Sequence, residues 1–131
     1  MNTPTSLSKA PCISVIDDDE SVREANKSLL ESTGFRASLF ASAEEFLNCM
    51  QPENTRCLIV DVQMSGMSGI ELQAELSTRD SRIPIIFITA HDDEHLRSRA
   101  LKAGAVEMLI KPFTEEDLLN GIHSAIQNRA S

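Results

Sequence analysis

Five residues at four places in the chain could do chemistry together: Asp17 and Asp18, then Asp61, Thr89 and Lys111. Each place closes a short apolar run, CISVI before Asp17, CLIV before Asp61, IIFI before Thr89 and VEMLI before Lys111. Three carboxylates gathered in one place cannot all ionise without compensation. A hard divalent cation supplies it. Mg²⁺ prefers a few carboxylate oxygens, keeps waters, and completes its octahedron with phosphate oxygens. Lys111 adds positive charge beside Asp61, and Thr89 adds a hydroxyl. Carboxylates, Mg²⁺, lysine and threonine together make a phosphoryl site, in which metal and lysine neutralise the equatorial oxygens of the transition state. One carboxylate can act as the nucleophile and form an acyl phosphate.

These residues meet only if the fold gathers the ends of the runs. Short apolar runs alternate with helical patterns five times. Strands are expected over 12–16, 35–40, 57–60, 85–88 and 106–110. The first helix, about 20–33, places Val22, Ala25, Leu29 and Leu30 on one face, with Gly34 at its C-terminal turn. Ser42 and Glu45 have capping-box spacing and open a helix with Ala43, Phe46, Leu47 and Met50 inward, before Pro52. Ser68 and Glu71 repeat that spacing ahead of Ile70, Leu72 and Leu76. Asp92, Asp93 and Glu94 suit the positive end of a helix carrying Leu96 and Ala100, which stops at Gly104. Thr114 and Asp117 cap the last helix, with Leu118, Leu119, Ile122 and Ile126 inward.

Continuous apolar strands alternating with helices predict a parallel sheet covered on both faces. Five units are too few for a closed eight-stranded barrel. The expected fold is therefore an open, doubly wound (βα)₅ sheet with strand order 2-1-3-4-5, the flavodoxin-like arrangement. In that order the second strand lies at an edge, and the four strands that end in polar residues are contiguous. Ligands bind such sheets at the carboxyl ends of the strands, near the switch point between the first and third.

Composition narrows the function classes. In 131 residues, 12 Lys and Arg stand against 20 Asp and Glu, a formal charge of −8. That argues against a nucleic-acid footprint and against docking on an anionic membrane. No apolar run reaches the roughly 18 residues needed to span a bilayer. The first eleven residues, MNTPTSLSKAP, read as a loose lead-in without a secretory signal, and one domain is expected over 12–129. Cys12, Cys49 and Cys57 cannot all pair within one chain and lack zinc-site spacing, which suits a reducing, cytoplasmic compartment. His91 and His95 have i,i+4 spacing, but no third ligand accompanies them.

Four segments, ISVIDDDESVR (13–23), LIVDVQMSGMSG (58–69), IPIIFITA (83–90) and AGAVEMLIKPF (103–113), stand in order across nearly the whole chain. Together they resemble the receiver domain of two-component response regulators, a CheY-like family. The flavour is that of receivers preceding LuxR-type DNA-binding domains, as in FixJ-like regulators. The resemblance implies a switch rather than an enzyme. Asp61 would be the phospho-acceptor, taking a phosphoryl group from a sensor histidine kinase or phosphotransfer protein. Asp18 would ligate Mg²⁺ directly and Asp17 mainly through ordered water, with Asp61 and the backbone carbonyl of Gln63 completing the protein ligands. Lys111 would contact the phosphoryl oxygens, and Thr89 would swing to hydrogen-bond them. Lys111–Pro112 is similar to the family's cis peptide. Phosphorylation would shift the face of helix four, strand five and helix five, to bind a partner, control an output domain or form a homodimer.

The chain departs from the family at two places. Ser65 stands where proline is frequent. Met108, three residues before Lys111, stands where the family usually carries Tyr or Phe, so the aromatic rotamer switch is absent; the flexible methionine could fill that space. Gln63 and His91, two residues beyond Asp61 and Thr89, flank the expected phosphoryl group. Two other readings stay open: a Mg²⁺-dependent phosphohydrolase using the Asp17-x-Asp19 pattern, and a receiver-shaped scaffold that is not phosphorylated. Read as complete, the chain acts alone through protein contacts. Read as the front of a longer protein, it precedes an output domain after Ser131.

Overall fold

A computed structural model of the chain describes residues 10–49, 54–79 and 81–130. Five strands, β1 (Cys12–Ile16), β2 (Arg36–Phe40), β3 (Thr55–Asp61), β4 (Ile85–Thr89) and β5 (Glu107–Ile110), alternate with five helices. The helices are α1 (Glu20–Ser32), α2 (Ala43–Leu47), α3 (Gly69–Thr78), α4 (Glu94–Lys102) and α5 (Glu115–Ala130). All strand pairs are parallel, in the order β2-β1-β3-β4-β5. The expected fold is borne out.

The two faces of the sheet bury separate clusters. Ile13, Val15, Ile59, Ile86, Ile88 and Leu109 pack under α1 and α5 through Leu30, Leu118, Ile122 and Ala125. Ile16, Leu58, Val60, Phe87 and Met108 pack under α2, α3 and α4 through Phe46, Leu72, Leu76 and Ala100. Strands buried on both faces explain why these runs are apolar without alternation. No helix among the described residues is long and apolar enough to cross a membrane.

Local differences from the expected elements have physical causes. Gly34 ends α1 at φ +96°. The N–H of Phe35 returns to the Leu30 carbonyl at 3.0 Å and that of Gly34 to Glu31, a Schellman ending. Phe35 is spent on that closure, so β2 starts at Arg36. Gly104 closes α4 in the same way, through Ala105 N–H to the Ala100 carbonyl, and β5 starts at Glu107. β3 starts earlier than expected, at Thr55. The register shifts between Cys12 and Ile13, and the Thr55 hydroxyl is 2.6 Å from that of buried Ser14. Ala25 is exposed, while Leu30 is buried and Val22 and Leu29 are half-buried.

The capping boxes at Ser68/Glu71 and Thr114/Asp117 are reciprocal. At Ser42 only the forward bond forms, and the Glu45 carboxylate takes the Ala41 N–H instead at 3.0 Å. Met50 and Pro52, and residues 1–9 of the expected lead-in, lie outside the described residues. Ala10 and Pro11 offer their carbonyls to the Arg36 side chain and N–H, at 2.7 and 2.9 Å.

Gly69, first in α3, is packed against the ends of the strands. A Cβ there would lie 3.0 Å from the Asp61 carbonyl and 3.1 Å from both Phe87 and Val60. All three neighbours sit in the sheet and have little room to yield. Gly69→Ala is expected to destabilise the domain by about 1–3 kcal/mol in urea unfolding, the usual range for overpacking. An unchanged midpoint would contradict that contact.

Candidate functional site

The strand pairing decides which side chains meet. Ile16 pairs with Val60, so Asp17 and Asp61 leave adjacent strands side by side. Asp61 pairs with Ile88 and Thr89 with Ile110, which sets Thr89 and Lys111 on the other flank. Backbone bonds continue the ladder one residue past the strands, from Asp17 N–H to Phe40, Val62 N–H to Ile88, and Lys111 N–H to Thr89. The main chain beneath the site is thereby held while the side chains extend from it.

Asp61 is the centre of the cluster. Its Oδ2 lies 3.4 Å from Lys111 Nζ, and its Oδ1 accepts from the Gln63 N–H at 2.9 Å. Its side chain keeps 14% exposure, enough to be reached from solvent. Asp17 is 4% exposed. Its Oδ1 accepts from the Asp19 N–H at 2.9 Å, and its carbonyl accepts from Arg23 Nη1 at 2.7 Å. Burial pushes the Asp17 carboxyl above its ordinary value; the neighbouring charges of Asp61 and Asp18 push the same way, while the Asp19 N–H and Lys111 oppose them. The electrostatic neighbours of Asp17 are thus the residues expected from the sequence.

Asp18 is exposed at the mouth, with its Oδ2 accepting from the Ser65 N–H at 3.3 Å and the Ser65 hydroxyl 3.5 Å away. Thr89 is 1% exposed. Its Oγ1 accepts from the His91 N–H at 3.1 Å, so this hydroxyl is engaged by its own loop. Lys111–Pro112 is cis. Asp19 accepts from the N–H groups of Ser21 and Val22 as the α1 N-cap, which commits the second carboxylate of the Asp17-x-Asp19 pattern to the helix. His91 and His95 are exposed.

Among the described residues, no three His, Cys, Asp or Glu side chains converge closely enough to hold a metal alone. The donor set is nevertheless one of hard oxygens around a buried, under-compensated carboxylate. It fits Mg²⁺, which binds through one or two carboxylates and keeps its waters, better than Zn²⁺, which wants a closed set of nitrogen and sulfur ligands. A concavity of about 780 Å³ opens at the other end of the sheet beside Leu76, Pro84 and Gly104, and among the described residues no carboxylate lines it.

Arg23 and Glu44 were not singled out from sequence. Arg23 supports the Asp17 carbonyl, and Glu44 accepts from the Met67 N–H at 3.0 Å. Neither bond needs a particular residue type at the acceptor or donor backbone, so neither leaves a motif.

The 2-1-3-4-5 sheet and the lysine-paired acidic pocket at its switch point define the class, a CheY-like α/β domain. The chain belongs to the response regulator receiver domain family, whose sequence model matches residues 13–123. It is 45% identical over 115 residues to the response regulator protein TmoT of Ectopseudomonas mendocina, covering 88% of this chain and 52% of TmoT. To the transcriptional regulatory protein FixJ of Bradyrhizobium diazoefficiens it is 41% identical over 115 residues, 88% of this chain and 56% of FixJ. The solved structure of response regulator StyR superposes with a TM-score of 0.86 at 49% identity, over 92% of this chain and 61% of StyR. The expected kinship with FixJ-like regulators is borne out. The chain spans about half the length of the curated relatives it matches.

The raised Asp17 value has a consequence for stability. A carboxyl whose folded value lies above its unfolded one favours folding in acid, and that contribution is lost as pH rises through the folded value. Asp17→Asn keeps an acceptor for the Asp19 N–H and cannot ionise. Without Mg²⁺, the variant is expected to unfold at higher urea than wild type near neutral pH, with the gap closing in mild acid. A variant less stable than wild type at both would sink this account.

Proposed function

We propose that residues 12–129 act as a phosphorylation-driven receiver, with Asp61 as the acceptor. A carboxylate oxygen of Asp61 attacks the phosphorus of a phosphohistidine on a sensor kinase or phosphotransfer protein. The P–N bond breaks, the imidazole leaves, and Asp61 carries an acyl phosphate. The observation that carries this reading is the Lys111–Asp61 pair at 3.4 Å beside the buried Asp17 carboxyl. It supplies an accessible nucleophile, a cation for the incoming oxygens, and a carboxylate that lacks a full counter-charge.

Asp17, Asp18 and Asp61, with the Gln63 carbonyl, would hold Mg²⁺. When bound, Mg²⁺ supplies charge neutralisation for the phosphoryl oxygens. Lys111 orients the group from the other side, and the Gln63 N–H holds Asp61 in place for attack. Thr89 exchanges its bond from the His91 N–H for one to a phosphoryl oxygen. Phosphorylation then shifts the α4–β5–α5 face, which engages an output domain, a partner or a second copy of the chain. The unpaired thiols Cys12, Cys49 and Cys57 suit the cytoplasm, and the −8 charge argues against nucleic-acid binding by these residues. Asp19, spent as an N-cap, weighs against the phosphohydrolase reading.

Intact mass after incubation with Mg²⁺ and acetyl phosphate tests the proposal. One phosphoryl adduct is expected on wild type and none on Asp61→Ala. Beryllium fluoride, a mimic that does not hydrolyse, covers the case of a short-lived adduct. Wild type that neither gains mass nor binds the mimic leaves only a receiver-shaped scaffold.

A further inference from the structure

The loop between β3 and α3, residues 62–68, carries the main chain onward from Asp61. Two carboxylates from other elements grip its N–H groups. Asp18 Oδ2 accepts from Ser65 at 3.3 Å, and Glu44 Oε2 accepts from Met67 at 3.0 Å. Asp18 belongs to the acidic pocket. Glu44 does not: it lies in the first turn of α2, the helix that follows the edge strand, and no motif includes it. Between the two gripped amides sits Gly66, at φ +76°. A Cβ on Gly66 would come within 2.9 Å of Glu44 Oε2, so a side chain there would push the carboxylate off its place on the loop.

We infer that Glu44 is a positioning residue for the acceptor pocket, holding the β3–α3 loop through the Met67 N–H while Asp18 is taken up by the metal. The inference rests on the Mg²⁺-dependent acceptor reading of Asp61. The two grips differ in kind. The Asp18–Ser65 bond is long, and its carboxylate is also a metal ligand on that reading. A Mg²⁺–oxygen contact of about 2.0–2.1 Å is far stronger than a hydrogen bond at the limit of length. The Glu44–Met67 bond has ordinary length, is charge-assisted, and does not compete with the metal. At the other end of the segment, the Gln63 N–H is tied to Asp61 Oδ1 at 2.9 Å. With Glu44 in place, the stretch bearing the Gln63 carbonyl is pinned at both ends. Without it, metal binding must also order the loop.

The test is calorimetric Mg²⁺ titration of wild type, Glu44→Ala, Glu44→Asp and Glu44→Gln, with amide hydrogen exchange of Met67 in the metal-free proteins. Glu44→Ala is expected to bind Mg²⁺ about tenfold more weakly, the scale for losing an outer support of a ligand set, and to exchange the Met67 amide faster. Glu44→Asp keeps the charge but is one methylene short, and is expected to behave like Glu44→Ala even if the latter folds poorly. Glu44→Gln keeps an acceptor oxygen, and is expected to stay within about threefold of wild type because a neutral bond retains roughly half the strength. Equal affinity of wild type with Glu44→Ala and Glu44→Asp overturns the inference. So does an equal loss in Glu44→Ala and Glu44→Gln with wild-type affinity in Glu44→Asp, which would assign the effect to charge alone. If wild type binds no Mg²⁺, the acceptor reading falls and takes the inference with it.

Discussion

Asp17 and Asp61 leave neighbouring parallel strands side by side, and the burial of the Asp17 carboxyl, to which the Asp61 charge adds, sets the terms for what surrounds them. The chain meets the problem unevenly. Asp61 receives Lys111 and a backbone N–H, and stays accessible. Among the described residues, the Asp17 carboxylate accepts a hydrogen bond from the Asp19 N–H alone, and burial raises its pKa. The imbalance leaves a place where added positive charge is strongly favoured. A phosphoryl site needs that condition before the ligand arrives.

The remainder of the architecture keeps this arrangement from relaxing. Side chains that repel would separate if their backbones could move. Here each relevant backbone is tied to the next strand beyond the end of the regular ladder: Asp17 to Phe40, Val62 to Ile88, and Lys111 to Thr89. Gly69 N–H returns to the Val62 carbonyl and closes the loop after Asp61 at its far side. The tight fit of Gly69 against the Asp61 carbonyl is the steric counterpart of that closure. Burial on both faces of the sheet supplies the cohesion these constraints draw on.

How much of this was legible in sequence depends on whether an interaction constrains residue type. Strands buried on both faces must be apolar throughout, so their ends were readable at Asp61 and Thr89, and the polar residues there located the pocket. Side-chain caps need a hydroxyl and a carboxylate at fixed spacing, so Ser68/Glu71 and Thr114/Asp117 were readable too. Ser42/Glu45 has the same spacing, yet Glu45 bonds one residue earlier, because two N–H groups lie within reach of one flexible carboxylate. Ala25 lies off the α1 stripe, and its small side chain gives periodicity little to work with. The Glu44–Met67, Asp18–Ser65 and Arg23–Asp17 bonds use the main chain of one partner. Any residue but proline offers that N–H, and every residue offers the carbonyl, so composition and spacing could not report them.

The least family-like part of the molecule is the path by which an event at Asp61 reaches α4. Met108 is 1% exposed and packs in the cluster that includes Phe87, Leu96 and Ala100. Its carbonyl accepts from Arg97 Nη2 at 3.2 Å, which ties α4 to β5 from above the same residue. Phe87 in that cluster is fully buried, and β5 carries no aromatic ring to swing between buried and exposed positions. On the proposed reading, the trigger must be Thr89, whose hydroxyl is held by one neutral bond from the His91 N–H. Such a bond is worth about 0.5–1.5 kcal/mol net, whereas a hydrogen bond to a charged group is worth about 1.5–3 kcal/mol. A phosphoryl oxygen can therefore draw Thr89 away from His91 with about 1 kcal/mol to spare. A margin of that size shifts a population several-fold without locking it. Signalling through this chain then depends on what binds the shifted α4 face, because the partner must supply the remaining free energy.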